Sequence, residues 1–357
     1  MHNLNIICTI IQLESTRRLL AFNGLAASTR TSYNQYMRYW FDFCDAHLYD
    51  YSELNNTTAA DFVAWCFDHT GLNGQTVSKA LTSVTSILSE EGVEWKRKNC
   101  PYIGRLIKGF KKLKPPQHRV KRPLSNIHVA LIWRHCIDKQ ALHRVALGLA
   151  ILVGYFAGLR PEQVSRTKAN RNIKMRQLTF CPSFDDCREI SVNIRFSKTN
   201  QLGDRIETME LECYCDKKLL GISMPCPVHH LIKYLKRRVN KFGKLKGNDP
   251  VFITEKGESL PYKHLNCFMY NCIGELNEIY KVNMDPTHYT PHTLRVGGCT
   301  DKARLNWPGW RIERWGRWSS DLWKRTYINL KFNDIAALLG VTVSELKANM
   351  NAKPYSD

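Results

Sequence analysis

Thr290-Pro291-His292-Thr293-Leu294-Arg295, then Gly316-Arg317-Trp318-Ser319-Ser320-Asp321, then Tyr327: this passage decides how the chain reads. Thr290-Pro291 is a helix start, with a hydroxyl at the capping position and proline at the first helical one. His292 and Arg295, three residues apart, share one face of that helix. Gly297-Gly298 lets it approach a neighbour closely. Ser319-Ser320-Asp321 opens a further helix bearing Tyr327, nine residues after Trp318.

These residue types suit one kind of chemistry. Phosphoryl transfer spreads negative charge over non-bridging oxygens, and planar, permanently charged guanidinium groups can hold those oxygens without a metal. A second arginine stands upstream in Gly158-Leu159-Arg160, where an apolar helix from Leu142 to Phe156 runs out. Trp318 offers an indole N–H donor and Tyr327 a phenol. A phenol nucleophile must lose its proton and the leaving oxygen must gain one, work suited to a histidine and a lysine. Each residue also has an ordinary reading. Arg160 alone would be a surface arginine, and Trp318 could be core among Trp307, Trp310, Trp315 and Trp323. Tyr289 and Tyr355 rival Tyr327 only weakly, since neither shares its helix or spacing.

Upstream of this passage the period changes. Gln177-Leu178-Thr179-Phe180, the alternating Ile190, Val192, Ile194 and Phe196, and Ile206 to Leu211 predict a small antiparallel sheet. The turn between its last two strands holds Lys198-Thr199-Asn200-Gln201-Leu202-Gly203, where a solvated lysine is the common case. Helices resume near Pro227, and Val251-Phe252-Ile253 is a short extended stretch. Residues 25–114 read as a separate helical domain. Ser28 and a Thr58/Asp61 box are its expected caps, and Val77, Ala80, Leu81, Val84, Ile87 and Leu88 form one apolar stripe. Ile103, Leu106, Ile107, Phe110 and Leu113 form another, with Arg105, Lys108 and Lys112 on its other side. Pro115-Pro116 begins a basic linker, 115–123. The expected plan is an N-terminal extension (1–24), the helical domain (25–114), the linker, a second domain (124–345) and a tail (346–357). The class is mainly α with a small antiparallel sheet (α+β).

Charge bears on the partner. Lys and Arg number 52 against 32 Asp and Glu, a net +20. Such a surplus favours polyanions, because neutralising phosphates releases counterions. It is uneven: Trp95 to Arg122 holds eleven basic residues and no acid, which a generic basic surface would not do. Arg105, Lys108, Lys111, Lys112, Lys114, Arg119, Lys121 and Arg122 are the expected DNA contacts. The linker could also serve as a nuclear import signal. The apolar run Ile6-Ile7-Cys8 with Ile10-Ile11 is too short and too interrupted to span a bilayer, and no other window approaches a span. Thirteen scattered cysteines fit a reducing compartment with mostly free thiols.

On the motifs around His292 and Trp318, the stretch from Tyr289 to Leu330 resembles the C-terminal half of a tyrosine recombinase active site. Within that superfamily, Pro291-His292-Thr293-Leu294-Arg295 and Gly316-Arg317-Trp318-Ser319-Ser320-Asp321 are similar to recombinases of Crypton-like eukaryotic mobile elements. The resemblance spans roughly residues 25–345 and is one of architecture alone in the N-terminal part. It implies a helical core-binding (SAM-like) domain followed by a catalytic domain of the DNA breaking-rejoining fold. It implies that Arg160 and Arg295 clamp a scissile phosphate, that His292 hydrogen-bonds it, and that Trp318 fills the family's His-or-Trp position. Lys198 would be the general acid and Tyr327 the nucleophile forming a 3′-phosphotyrosyl bond. Arg317 would add a phosphate contact. The family's acid, three residues after its first arginine, is replaced by Gln163, with Glu162 one step earlier; either could support the arginine.

The implied protein is a nuclear site-specific recombinase of a transposable element, acting on double-stranded DNA as a tetramer. No cofactor, metal, membrane or small-molecule substrate is expected in its reaction. Alternatives are a domesticated, non-catalytic DNA-binding protein and a type IB topoisomerase-like strand transferase. Two readings stay open. Cys213, Cys215, Cys226 and His229 are either a tetrahedral zinc site or ordinary reduced thiols beside a histidine. The apolar spacing from Asp334 to Met350 is a terminal helix that docks either on the next protomer or on its own domain.

Overall fold

A computed structural model of the chain describes residues 16, 20, 24–115, 121–167, 171–197, 200, 203–215, 218–219, 222–318, 323–324, 342 and 344–345. The chain divides into two compact units, residues 1–118 and 119–357. No described helix is long and apolar enough to cross a membrane.

The first unit is helical: α1 (Ala27–His47), α2 (Asn56–His69), α3 (Gly74–Glu90) and α4 (Pro101–Leu113). Trp40, Phe43, Phe62, Val77, Leu81, Ile103 and Ile107 fill its core, so the apolar stripes face inward as their spacing predicts, except at Leu113, which ends its stripe exposed. Two expected caps are corrected. Ser28 lies inside the first turn of α1, whose capping position is Ala26 with no side-chain hydrogen bond. Asn55, not Thr58 with Asp61, caps α2: its Oδ1 accepts from the Thr57 and Thr58 amides at 2.8 and 3.0 Å. Thr58 Oγ1 returns the bond to the Asn55 amide. Asp61 instead accepts from the Tyr49 hydroxyl at 2.8 Å. The amide of Asn55 reaches both orphan N–H groups, so it starts the helix earlier than the hydroxyl at Thr58 would.

On α4, Ile103, Ile107 and Phe110 are buried while Arg105, Lys108, Lys111 and Lys112 are exposed. Lys114 departs from the expected basic face. Its ammonium donates to the Phe67 carbonyl and lies 4.2 Å from the centre of the Phe67 ring, closing the end of α4 onto α2.

In the second unit, α5 (Asn126–Leu131) runs into a π-helical turn over Ile132–Cys136. Next come α6 (Leu142–Phe156) and the short α7 (Pro161–Val164). Val145 to Phe156 are all buried, as expected of a helix apolar on every side. The three-stranded sheet follows, β1 (Leu178–Cys181), β2 (Glu189–Ile194) and β3 (Glu207–Glu212), antiparallel in that order. Ile190 stands opposite Leu211 and Val192 opposite Met209, all four buried against the helices. A two-stranded ribbon, β4 (Lys218–Leu219) with β5 (Ile222–Ser223), precedes α8 (Pro227–Phe242). The helices α9 (Tyr262–Tyr280), α10 (Pro291–Arg304) and α11 (Gly309–Gly316) complete the described part. The architecture is thus mostly helical with a small antiparallel sheet, as the periodicity predicts.

α6 is the hub of this unit, packed by α8 and α10. The approach of α10 is so close that a side chain at Gly297 would collide with the Leu124 carbonyl, and one at Gly298 with the Tyr155 carbonyl. A buried network fixes the pair. Asp301 accepts from the Tyr155 hydroxyl of α6 and, at 3.1 Å, from the Asn126 amide that opens α5. Burial raises both the Tyr155 phenol and the Asp301 carboxyl above their ordinary values.

Candidate active site

The site lies where α6 ends. Gly158, at φ +59°, turns the chain in the left-handed region with the Trp315 ring against it, so a side chain there would meet both strain and the indole. The turn delivers Arg160 to the position capping α7. The Arg160 amide donates to Gln163 Oε1 at 2.7 Å, and Gln163 is fully buried. The same Oε1 accepts from both terminal nitrogens of Arg317 at 3.3 Å. Facing donors on that side, the amide keeps its oxygen there, and Gln163 Nε2 is buried with no acceptor among the described residues.

Arg317 follows α11 with φ +54°, and its guanidinium also donates to the Gly158 carbonyl at 2.8 Å. Glu207, at the start of β3, lies 3.8 Å from it. Burial pushes the Arg317 guanidinium well below its ordinary value, and the nearby charges of Arg295 and Arg160 push the same way. Three guanidinium groups from three separate elements therefore share one patch. Arg317, expected as a phosphate contact, directs its donors to Gln163 Oε1 and the Gly158 carbonyl and lies beside Glu207.

Arg295, 1% exposed, projects from the second turn of α10 and donates to the Gly316 carbonyl at the end of α11. Its guanidinium lies 4.6 Å from the centre of the Trp318 ring. His292, half-buried, sits one turn earlier on the same helix. Thr290 occupies the capping position of α10, but its side chain makes no capping bond there. Trp318 stacks on Trp323 at 6.1 Å, packed against a small core cluster of Cys299, Ile312 and Trp323. Below it, Lys302 is buried with its ammonium 4.7 and 4.8 Å from the Trp307 and Trp315 ring centres. Burial lowers the Lys302 ammonium to about 8.

Of the expected site residues, Arg160, Gln163, His292, Arg295, Arg317 and Trp318 come from the segments that meet here. Glu162 turns aside to Arg171 at 3.6 Å, which leaves Gln163 in the bracing position. Tyr327, Lys198 and Arg119 lie outside the described residues, as do Ser319 to Asp321 and all of the expected terminal helix except residues 342, 344 and 345. Of the linker, Lys121 is exposed, and Arg122 is half-buried with its amide bonded to the His288 carbonyl at 3.0 Å. Sequence reasoning missed Glu207, Asp301 and Lys302. Only the GG pair before Asp301 and Lys302 signalled a tightly packed helix.

Cys213, Cys215, Cys226 and His229 also converge, at the end of the sheet remote from the β2–β3 turn; their ligand atoms all lie within 4.8 Å of one another.

No family model matches the chain, and no curated protein matches it. Solved structures do match, and the chain shares their fold. One is the Tn1549 transposon integrase in complex with a circular intermediate DNA, at TM-score 0.55 and 14% identity, over 92% of this chain and 98% of that one. The same integrase in complex with transposon right end DNA gives TM-score 0.53 at 14% identity, over 92% and 98%. A lambda integrase dimer bound to a COC′ core site gives 0.50 at 13% identity, over 89% and 94%.

Proposed function

We propose that the chain is a DNA site-specific tyrosine recombinase that cleaves and rejoins duplex DNA through a 3′-phosphotyrosyl bond. The observation that carries this reading is the meeting of Arg160, Arg295 and Arg317 in one patch, with Arg295 buried and His292 on its face of the helix. Guanidinium groups gathered in one place suit an anion, and a phosphodiester has the right charge and geometry for them. The structures with the same fold are, by their descriptions, integrases bound to DNA. Tyr327 and Lys198 enter from their sequence positions.

In this mechanism the Tyr327 oxygen attacks the scissile phosphorus and the bond to the 5′ oxygen breaks. Arg160 and Arg295 hold the non-bridging oxygens as their charge grows, and His292 and the Trp318 N–H add neutral donors. Lys198 gives the departing 5′ oxygen its proton, and the tyrosyl proton leaves through His292 or solvent. A phosphodiester is exchanged for a phosphotyrosyl ester of similar energy, so the reverse attack by a new 5′-hydroxyl needs no ATP. The biological setting we propose is integration or excision of a Crypton-like mobile element, in the nucleus, by a tetramer holding two sites.

The test uses duplexes selected from a random pool by binding to the full chain, then nicked beside the site so that cleavage is trapped. The expected result is a covalent protein–DNA adduct that Tyr327→Phe abolishes while affinity changes less than about twofold. An adduct that survives this substitution would sink the assignment. Absence of any adduct despite tight binding would favour a non-catalytic DNA-binding protein. Strand exchange between two labelled duplexes then separates recombination from topoisomerase-like relaxation.

A further inference from the structure

Cys213 directly follows β3, and Cys215 lies two residues on. Cys226 occupies the capping position of α8, and His229 is in that helix's first turn. The Cys213 and Cys226 sulfurs are 3.7 Å apart. His229 Nδ1 lies 3.4 Å from Cys213, 3.0 Å from Cys215 and 3.3 Å from Cys226. A tetrahedral ion with Zn–S near ~2.3 Å and Zn–N near ~2.0 Å has ligand-to-ligand edges of roughly 3.5–3.8 Å. The four separations here run from 3.0 to 3.7 Å and all four ligand atoms lie within 4.8 Å of one another, close enough for small side-chain shifts to close them on one ion. The sulfurs also stand well beyond the ~2.05 Å of a disulfide.

We propose that these four side chains bind a structural zinc ion that fastens the end of β3 to the start of α8. Three thiolates and one imidazole form a closed four-ligand set, which selects zinc among common divalent ions and leaves no position for substrate. The surroundings suit thiolate charge. The Tyr214 amide donates to the Cys226 sulfur at 3.2 Å, and the N-terminus of the 16-residue α8 lies at Cys226. Cys226 is buried while Cys215 and His229 are exposed, so an ion can enter from solvent.

The intervening chain gives the ion a task. Between Cys215 and Cys226 stands the ribbon β4–β5, with two residues per strand, too short to hold itself together in water. Closing its two ends on a metal supplies what its own hydrogen bonds lack. The same clamp sets the free end of the sheet, where Glu189 pairs with Glu212, while the other end opens into the turn that contains Lys198. The ion sits at the end of the sheet away from the β2–β3 turn, and no step of the reaction proposed above uses it.

Elemental mass spectrometry of the full chain, purified in reductant without a metal-affinity tag, tests this. About one zinc per chain is expected. Exchange with cobalt(II) should give the visible bands of a tetrahedral thiolate site. A strong chelator should lower the melting temperature by roughly 5–10 °C, and added zinc should restore it. Cys215→Ser and His229→Ala should each lose the metal. If either variant fails to fold, zinc content and the cobalt spectrum of the unaltered chain decide alone. A folded, metal-free chain without thiolate bands on cobalt addition would overturn the proposal, as would a Cys213–Cys226 disulfide in the intact mass.

Discussion

Gln163 Oε1 accepts from the backbone of Arg160 and the guanidinium of Arg317, so a single amide oxygen sets the spacing between the two halves of the arginine patch. Gln163→Leu removes that acceptor and strands buried donors, at a cost of about 2–4 kcal/mol in stability. Gln163→Glu keeps the acceptor and should restore most of it. Chemical denaturation of both variants checks this, and equal loss in the two would show that packing rather than the bond matters. Lys302 gives a pH dependence with a definite sign. Unfolded, it holds its proton up to about pH 10.5; folded, only to about 8. Between those values the unfolded chain binds more protons, so the Lys302 contribution to stability rises with pH across the window and is lost as pH falls through about 8. Subtracting the stability profile of Lys302→Met from that of the native chain should isolate this rise. Parallel profiles would refute it.

At the scale of elements, α10 depends on glycine for its depth. Gly297→Ala would drive a methyl group into the Leu124 carbonyl, and the helix would have to back away from the segment that leads into α5. A loss of roughly 2–4 kcal/mol is expected by thermal unfolding; a melting point within a degree of the native one would contradict the packing. The GG pair announces such an approach in the sequence, but not the partner. The same limit explains what could and could not be read in advance. His292 and Arg295 share one helix face, which follows from their spacing, while Trp318, just past the end of α11, is found by motif alone. Glu207 reaches Arg317 from a strand far away in sequence, and no local pattern marks that pairing. The choice between Glu162 and Gln163 turned on burial, which one residue of helical rotation decides. The ribbon β4–β5 and the π-helical turn are too short to impose a period of their own. The cap of α2 was misplaced because two polar side chains compete there, and only geometry shows which oxygen reaches the amides.

For the whole molecule, the surplus of positive charge has a definite address in the first unit: Arg105, Lys108, Lys111 and Lys112 are exposed along α4 while its apolar face is buried. If these four meet phosphates, neutralising all of them should weaken DNA binding at low salt and flatten the plot of log affinity against log salt by about 3–4 units of slope. An unchanged slope would move the DNA-binding face elsewhere. Lys114, turned onto Phe67, should affect stability and leave the slope nearly untouched.

The contact between Arg295 and Trp318 has a practical side. An indole reports the electric field across its ring, and here a fixed charge sits 4.6 Å from the ring centre. An anion that draws on that charge alters the field, so the colour of the Trp318 emission changes with occupancy. On the function proposed above, this indole would serve as an unlabelled sensor of phosphate docking, read before any bond is cut.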